Sequence, residues 1–424
     1  MIVSPSVRVE LLAAVRFPLT LTLATVAVLA ACAGLRPAAK PAAPPQRVLL
    51  ISLDGFRWDY IQRPGAVRLR QLASVGIRAE RLVPVFPSKT FPNHYTIVTG
   101  LYTEHHGIVA NAMRDSVLGV FGTGNSPSVR DARWWGGEPI WVTAEKQGVH
   151  SAPYLWPGVE APIGGVRPRW YVRFDGTATR AQRVEAVLGY LAIPGDTAPR
   201  FVTEYFNDLD NAGHAYGPSS PQVDSAIARV DSAVGALVDG IARLGLADRV
   251  NVIVVADHGM APLARDRAIY LDDYVSMDSL DVIDWTPVAD IAPKAGHEAY
   301  VFSRLAAANA HLAVYRKGTL PARFHFNNHP HITPIVAIAD EGWKITTHER
   351  ANRSPATAWG GDHGYDPQLR SMGALFVAAG PAFRQGVVVP PFQNIHLYAL
   401  MARILGITPV STDGSLDSVR ALLR

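Results

Sequence analysis

Cysteine is almost absent from this chain of 424 residues; the only one is Cys32. That excludes an intramolecular disulfide, a zinc site built on several thiolates and a network of catalytic thiols. Lysine and arginine never gather into a block, and the net charge of +4 is spread among interleaved charges of both signs. A nucleic-acid polymer is therefore not an expected partner, whereas a small anionic substrate is compatible. No apolar run reaches the length of a membrane span: the stretch from Phe17 to Leu29 is short and passes at once into small residues. No segment repeats at a fixed period, and low-complexity sequence is confined to one Ala/Pro-rich stretch. What is present, 48% hydrophobic and 18% charged residues, is an ordinary globular composition that can bury one large core or two modest ones.

The few unusual segments lie at the start. Arg8 and Arg16 precede the apolar stretch, which ends in Leu29-Ala30-Ala31-Cys32. Residues 1–31 read as an export signal. The ending is similar to a bacterial lipoprotein cleavage box, in which the cysteine becomes the lipidated first residue; the alternative is an ordinary signal peptide cut after an Ala-x-Ala site, with an incidental cysteine. The expected location is outside the cytoplasm, periplasmic or tethered to a membrane through Cys32. Residues 32–46, rich in alanine and proline, read as an extended tether.

Folding is expected to begin at Arg47-Val48-Leu49-Leu50-Ile51-Ser52-Leu53, a continuous apolar run of strand length that ends at Asp54. The pattern recurs at Phe201–Phe206, followed by Asp208 and Asp210, and at Val250–Ala256, followed by Asp257-His258. Between the last two runs, Val223, Ile227, Val230, Val234, Leu237, Ile241 and Leu244 recur at helical steps. A strand-helix-strand unit of this kind implies an α/β fold, with a mostly parallel central sheet covered by helices on both faces. The expected organisation is a catalytic core in residues 47–270, an inserted smaller lobe in 271–353, where the buried-strand rhythm weakens, and a second part of the core in 354–424. Ala374–Ala379 reads as a further inner strand and residues 394–405 as a helix.

Acidic residues at strand ends are where an open α/β sheet gathers functional groups. Asp210 and His214 stand four apart, so a helical turn would aim both at one point. Asp257-His258 is an adjacent pair, and His363 lies in the loop Gly360-Gly361-Asp362-His363-Gly364. With Asp54 these are six oxygen and nitrogen ligands, the number that two catalytic zinc ions with three protein ligands each would use. Lys89-Thr90-Phe91-Pro92-Asn93-His94-Tyr95 is expected to be a turn that presents the Thr90 hydroxyl, because Pro92 fits neither a helix interior nor a central strand.

Together these residues resemble the nucleotide pyrophosphatase/phosphodiesterase family, a branch of the alkaline phosphatase superfamily. The matching segments are Asp54 to Arg57, Lys89 to Tyr95, Thr99 to Tyr102, His106 to Asn111, Trp156-Pro157-Gly158, Asp210 to His214 with Gly217-Pro218, Asp257 to Met260, and Gly361 to Asp366. The resemblance implies one zinc on Asp54, Asp257 and His258 that also contacts the nucleophile Thr90, and a second on Asp210, His214 and His363. It implies a phosphothreonine intermediate, with Asn111 and the Phe91 N–H donating to a phosphoryl oxygen. The substrate it implies is a small nucleotide or other phosphodiester, cleaved to a nucleoside 5'-monophosphate, its base held between Phe91 and Phe174, with Trp156 and Tyr205 lining the slot. At position 174 the family commonly has tyrosine. Alternatives are a phosphomonoesterase or phospholipid-headgroup phosphodiesterase of the same superfamily, or a tethered binding lipoprotein without activity. A sulfatase is disfavoured, since Thr90 is neither cysteine nor serine. His325, His329 and His331 are expected to be structural or to rim the pocket, and His94 and His106 to orient the Thr90 turn; Lys89 has no assigned part.

Overall fold

The structure, a computed structural model, describes residues 45–124 and 126–424; the expected export signal, Cys32 and the tether up to residue 44 lie outside the described residues. The chain lays down β1 (Arg47–Leu53), β2 (Ile77–Ala79), β3 (Ser151–Pro153), β4 (Phe201–Phe206) and β5 (Val250–Val255). It then builds β6 (Leu280–Asp284), β7 (Val288–Pro293), β8 (Leu312–Arg316) and β9 (Ile335–Ala339), and returns with β10 (Phe376–Ala379) and β11 (Val387–Val389).

The larger sheet has seven strands in the order β11-β2-β10-β5-β1-β4-β3. β1 pairs in parallel with both β4 and β5, β3 with β4, and β11 with β2. The inner strand β10 runs antiparallel to β5 and β2. The unbroken apolar runs follow from burial on two faces: β4 and β5 are buried at every position and β1 from Val48 onward.

Four helices matter for the site: α1 (Thr90–Thr99), α2 (Asp208–Tyr216), α3 (Pro221–Arg243) and α4 (Leu397–Leu405). α3 starts where the sequence signals it. The Ser220 side chain accepts the Val223 N–H, and Pro221 takes the first helical position, where its missing N–H costs nothing. α4 is shorter than expected, because residues 394–396 form a single 3-10 turn before it. α3 packs with α2 and with the helices Val67–Val75 and Arg180–Ala192, while α4 packs with α1 and Ile140–Lys146.

The four strands β6 to β9 form a separate antiparallel sheet in the order β6-β7-β9-β8. Its own apolar cluster buries Ile291, Val301, Leu305, Ile335 and Ala337 completely. In the larger sheet, Leu53 stands opposite Phe206 and Ser52 opposite Val255. The three central strands therefore end level, and whatever follows them meets at one edge.

Candidate active site

Thr90 is the first residue of α1, with Lys89 as its N-cap. This corrects the expected turn. Pro92 falls in the first helical turn, where an N–H would have no intrahelical acceptor, so proline is tolerated there. Placing Thr90 at a helix start leaves it partly exposed, while Lys89 and the residues from Pro92 to Thr99 are buried. The turn is tied down by Asn93, whose side-chain amide donates to Pro87 O and Lys89 O, both at 2.9 Å, while its oxygen accepts the Val85 N–H at 2.8 Å. His94 donates from Nδ1 to Thr90 O at 2.9 Å, and its Nε2 pairs with the Ser52 hydroxyl at 2.8 Å.

Beside Thr90 lie the residues from the strand ends. Asp54 follows β1, Asp257 and His258 follow β5, and Asp210 and His214 stand one turn apart on α2, the His214 Nε2 3.3 Å from the Asp210 Oδ1. His363 stacks on His258 with ring centroids 3.4 Å apart. Side-chain atoms of Asp210, His214 and His363 lie within 4.8 Å of one another, as do those of Asp54, Asp210 and His258, each set able to hold a metal ion. Asp257 Oδ2 is 2.9 Å from His258 Nε2 and 3.3 Å from His94 Nδ1. The Thr90 hydroxyl is 3.3 Å from His258 Nε2. Glycine is required at position 55: its φ is +70°, and a Cβ there would stand 3.1 Å from Asp210 Cα.

Two features suit this cluster to cations. Asp54 Oδ1, Asp210 Oδ1 and Asp257 Oδ2 are buried and have no hydrogen-bond donor among the described residues, an expensive arrangement unless positive charge meets them. The imidazoles are oriented to match. His214, His258 and His363 turn Nδ1 towards the carbonyls of Gly361, Gly259 and Ser88, each at 2.9 Å, which leaves every Nε2 facing the carboxylates, able to take up a proton or a metal ion there.

The proton equilibria express the same demand. Burial disfavours the His214 imidazolium, yet the Asp210 carboxylate outweighs it and pushes the group up to about 10. His258 is likewise raised by Asp257 against its burial. Asp54 is pushed well above the carboxylate range by burial, then by Asp257 and Asp210.

The cluster floors a cleft of about 390 Å³ whose lining includes Thr90, Phe91, Asn111, Trp156, Glu160, Phe174, Tyr205 and Asn207. Phe91 and Phe174 both face it, and Phe174 is half exposed. Trp156 contributes little surface; it is 2% exposed and donates from Nε1 to His94 O at 3.1 Å. Tyr205 lines the cleft, and its hydroxyl also donates to Asp54 Oδ2 at 2.5 Å. That contact was not legible in the sequence. The Phe91 N–H donates to Asn111 Oδ1 at 3.0 Å. It thus orients the Asn111 side chain, instead of standing beside it as a second free donor.

Several histidines are structural. His106 pairs with Thr96 Oγ1 at 2.9 Å, and His331 donates to Gly107 O at 2.7 Å. His325 stacks on Tyr102.

The fold and the site define an alkaline-phosphatase-like α/β hydrolase whose Asp/His cluster could hold metal ions. Within that class, the profile of the type I phosphodiesterase / nucleotide pyrophosphatase family matches residues 48–366, and the chain belongs to that family. The bis(5'-adenosyl)-triphosphatase of Xenopus laevis is 38% identical over 380 residues, covering 89% of this chain and 81% of the relative. Human ectonucleotide pyrophosphatase/phosphodiesterase family member 1 is 37% identical over 388 residues, 89% of this chain and 42% of that larger protein. Among solved structures, an inactive threonine-to-alanine variant of murine ectonucleotide pyrophosphatase/phosphodiesterase 5 in complex with AMP superposes with a TM-score of 0.84 at 36% identity, covering 89% of this chain and all of that one. The protein is accordingly a phosphoric diester hydrolase of the nucleotide pyrophosphatase/phosphodiesterase type.

Proposed function

We propose that this enzyme cleaves nucleotide pyrophosphates and phosphodiesters by attack of Thr90 on phosphorus, releasing a nucleoside 5'-monophosphate through a phosphothreonine intermediate. The observation that carries the proposal is the meeting, beside the Thr90 hydroxyl, of three buried carboxylate oxygens without donors and three imidazoles turned to leave Nε2 free. Asp54, Asp257 and His258 would hold one zinc ion next to Thr90, and Asp210, His214 and His363 a second; mixed carboxylate and imidazole ligands suit zinc. When bound, the ions supply Lewis-acid stabilisation of the attacking, departing and non-bridging oxygens.

The chain's own groups do the rest. Thr90 Oγ1 forms the new bond to phosphorus as the bond to the leaving oxygen breaks. Water then attacks the phosphothreonine, so the nucleoside monophosphate departs and the Thr90 hydroxyl is restored. Asn111, oriented by the Phe91 N–H, keeps its amide NH₂ for a non-bridging oxygen. Among the described residues no lysine or arginine lines the cleft, which fits the single negative charge of a diester better than a monoester dianion. Phe91 and Phe174 offer aromatic faces for a nucleobase. The solved relative with AMP, inactive as a threonine-to-alanine variant, supports the nucleotide substrate and the nucleophile. We further propose export and tethering through a lipidated Cys32, on the strength of the sequence preceding the tether.

The test is product analysis with ATP, a dinucleotide, bis(p-nitrophenyl) phosphate and p-nitrophenyl phosphate. Wild type is expected to release AMP from the first two and to prefer the diester. Thr90→Ala is expected to lose about 10⁴-fold or more in turnover while keeping its metal content. Dominant monoester cleavage, or an active Thr90→Ala, overturns the reading.

A further inference from the structure

Lys89 is buried beside the nucleophile, yet its ammonium does not point into the cleft. All three of its N–H bonds are used where β6 passes into β7: Nζ donates to Asp284 Oδ2 at 2.9 Å, to Trp285 O at 3.0 Å and to Val288 O at 3.0 Å. Its side chain is 4% exposed, so the pairing acts in a low-dielectric setting where a charge-assisted bond is strong and a lost partner is costly. Asp284 ends β6, and its other oxygen accepts the Trp285 N–H at 2.9 Å. The oxygen that meets Lys89 also accepts the main-chain N–H of Asn111 at 3.3 Å.

These bonds close a ring. It runs from Lys89 along the chain through Thr90 to Phe91, across the Phe91 N–H to Asn111 Oδ1, from the Asn111 N–H to Asp284, and back through Nζ to Lys89. The ring holds the nucleophile and the Asn111 amide at a set separation, and its one member from the smaller sheet is Asp284. We propose that Asp284 is a positioning residue for phosphoryl transfer, locking the start of α1 and the Asn111 main chain into one register so that the Thr90 hydroxyl and the Asn111 amide address the same phosphorus. The inference rests on the assignment of Thr90 and Asn111 made under Proposed function.

The experiment compares kcat and KM for bis(p-nitrophenyl) phosphate, metal content and thermal midpoint in five variants, Thr90→Ala among them. Asp284→Asn keeps the shape and removes the charge. The paired variant Lys89→Met with Asp284→Leu removes both charges of the ion pair and is expected to regain wild-type thermal stability at about pH 5, where the neighbouring Asp290 carboxyl is protonated. Asn111→Ala removes the amide, and Asp284→Asn combined with Asn111→Ala tests whether the two act as one unit.

A misplacement of this kind is expected to lower kcat about 10²-fold in Asp284→Asn with KM changed by less than about threefold. The paired variant is expected to keep the low kcat although its midpoint recovers. If Asp284 acts through Asn111, adding Asp284→Asn to Asn111→Ala costs no more than about twofold further, because coupled residues are not additive. Recovery of kcat together with the midpoint in the paired variant would overturn the inference, as would losses that multiply in the combined variant. If Asp284→Asn does not accumulate as folded protein, the paired variant decides. An active Thr90→Ala defeats the nucleophile assignment; an inactive Thr90→Ala beside a fully active Asp284→Asn defeats only the inference about Asp284.

Discussion

Buried charge is handled in opposite ways on the two sides of Thr90. On the strand-end side, Asp54, Asp210 and Asp257 each keep an oxygen with no donor among the described residues. On the other side, the Lys89 ammonium has an acceptor for every N–H, and both oxygens of Asp284 are engaged. A charge whose hydrogen bonds are all satisfied holds parts together and has no capacity left for a ligand. A carboxylate with a free, buried lone pair carries a desolvation cost that a cation can remove. The contrast separates a brace from a centre able to bind.

The largest effect expected on that contrast comes from metal removal. Chelation is expected to abolish hydrolysis, and zinc to restore it, with the far-UV circular dichroism spectrum unchanged; turnover that persists in metal-free protein would show that the open cluster is not the reacting centre.

Next comes the braced side, probed through Asp290, which shares its surroundings. Burial pushes the Asp290 carboxyl from 3.8 up to about 7, Lys89 opposing and Asp284 adding to the rise. The folded state therefore binds this proton more tightly than the unfolded one. The stability it contributes is complete below about pH 4 and is lost as pH rises through about 7. The displacement sets a ceiling of roughly 4 kcal/mol on the effect, at 1.36 kcal/mol per pH unit. Asp290→Asn is expected to flatten the fall between pH 4 and 8, read as the difference in denaturant midpoint from wild type. An unchanged slope would remove Asp290 from the braced group.

Smaller still is the loss of a single donor on the open side. Tyr205→Phe removes the hydroxyl that meets Asp54 and is expected to weaken metal retention about 10- to 100-fold, read by competition with a chromogenic chelator. The smallest effect belongs to the cleft wall. Phe174→Ala is expected to raise KM for ATP by about tenfold, the loss of one stacking face, while KM for bis(p-nitrophenyl) phosphate barely moves.

Much of this was legible in the sequence, and the reason differs by element. β1, β4 and β5 announced themselves because a strand buried on both faces needs an unbroken apolar run. α3 did so because its apolar positions keep helical steps behind a serine cap and a first-turn proline. The Asp/His residues stood out by type and by their place after strands. The start of α1 reads as a turn in the sequence, because proline is excluded from helix interiors but not from a first turn, and composition does not say which of the two applies. Lys89 gave no signal, since its partner Asp284 is 195 residues away. Tyr205 read as an aromatic wall because a hydroxyl's acceptor, here Asp54 151 residues earlier, is invisible along the chain.

The sequence by itself determined which residues could bind cations, which hydroxyl could react, and that a mostly parallel sheet would carry them. These depend on residue type and local periodicity, which are properties of neighbours in the chain. Only the tertiary structure decided that Asp54, Asp210 and Asp257 would share a buried space with unsatisfied oxygens, that Tyr205 would hold one of them, and that Asp284 would brace Lys89 and Asn111. Those facts follow from the register of β1 against β4 and β5 and from the docking of a second sheet, and long-range packing is what sets both.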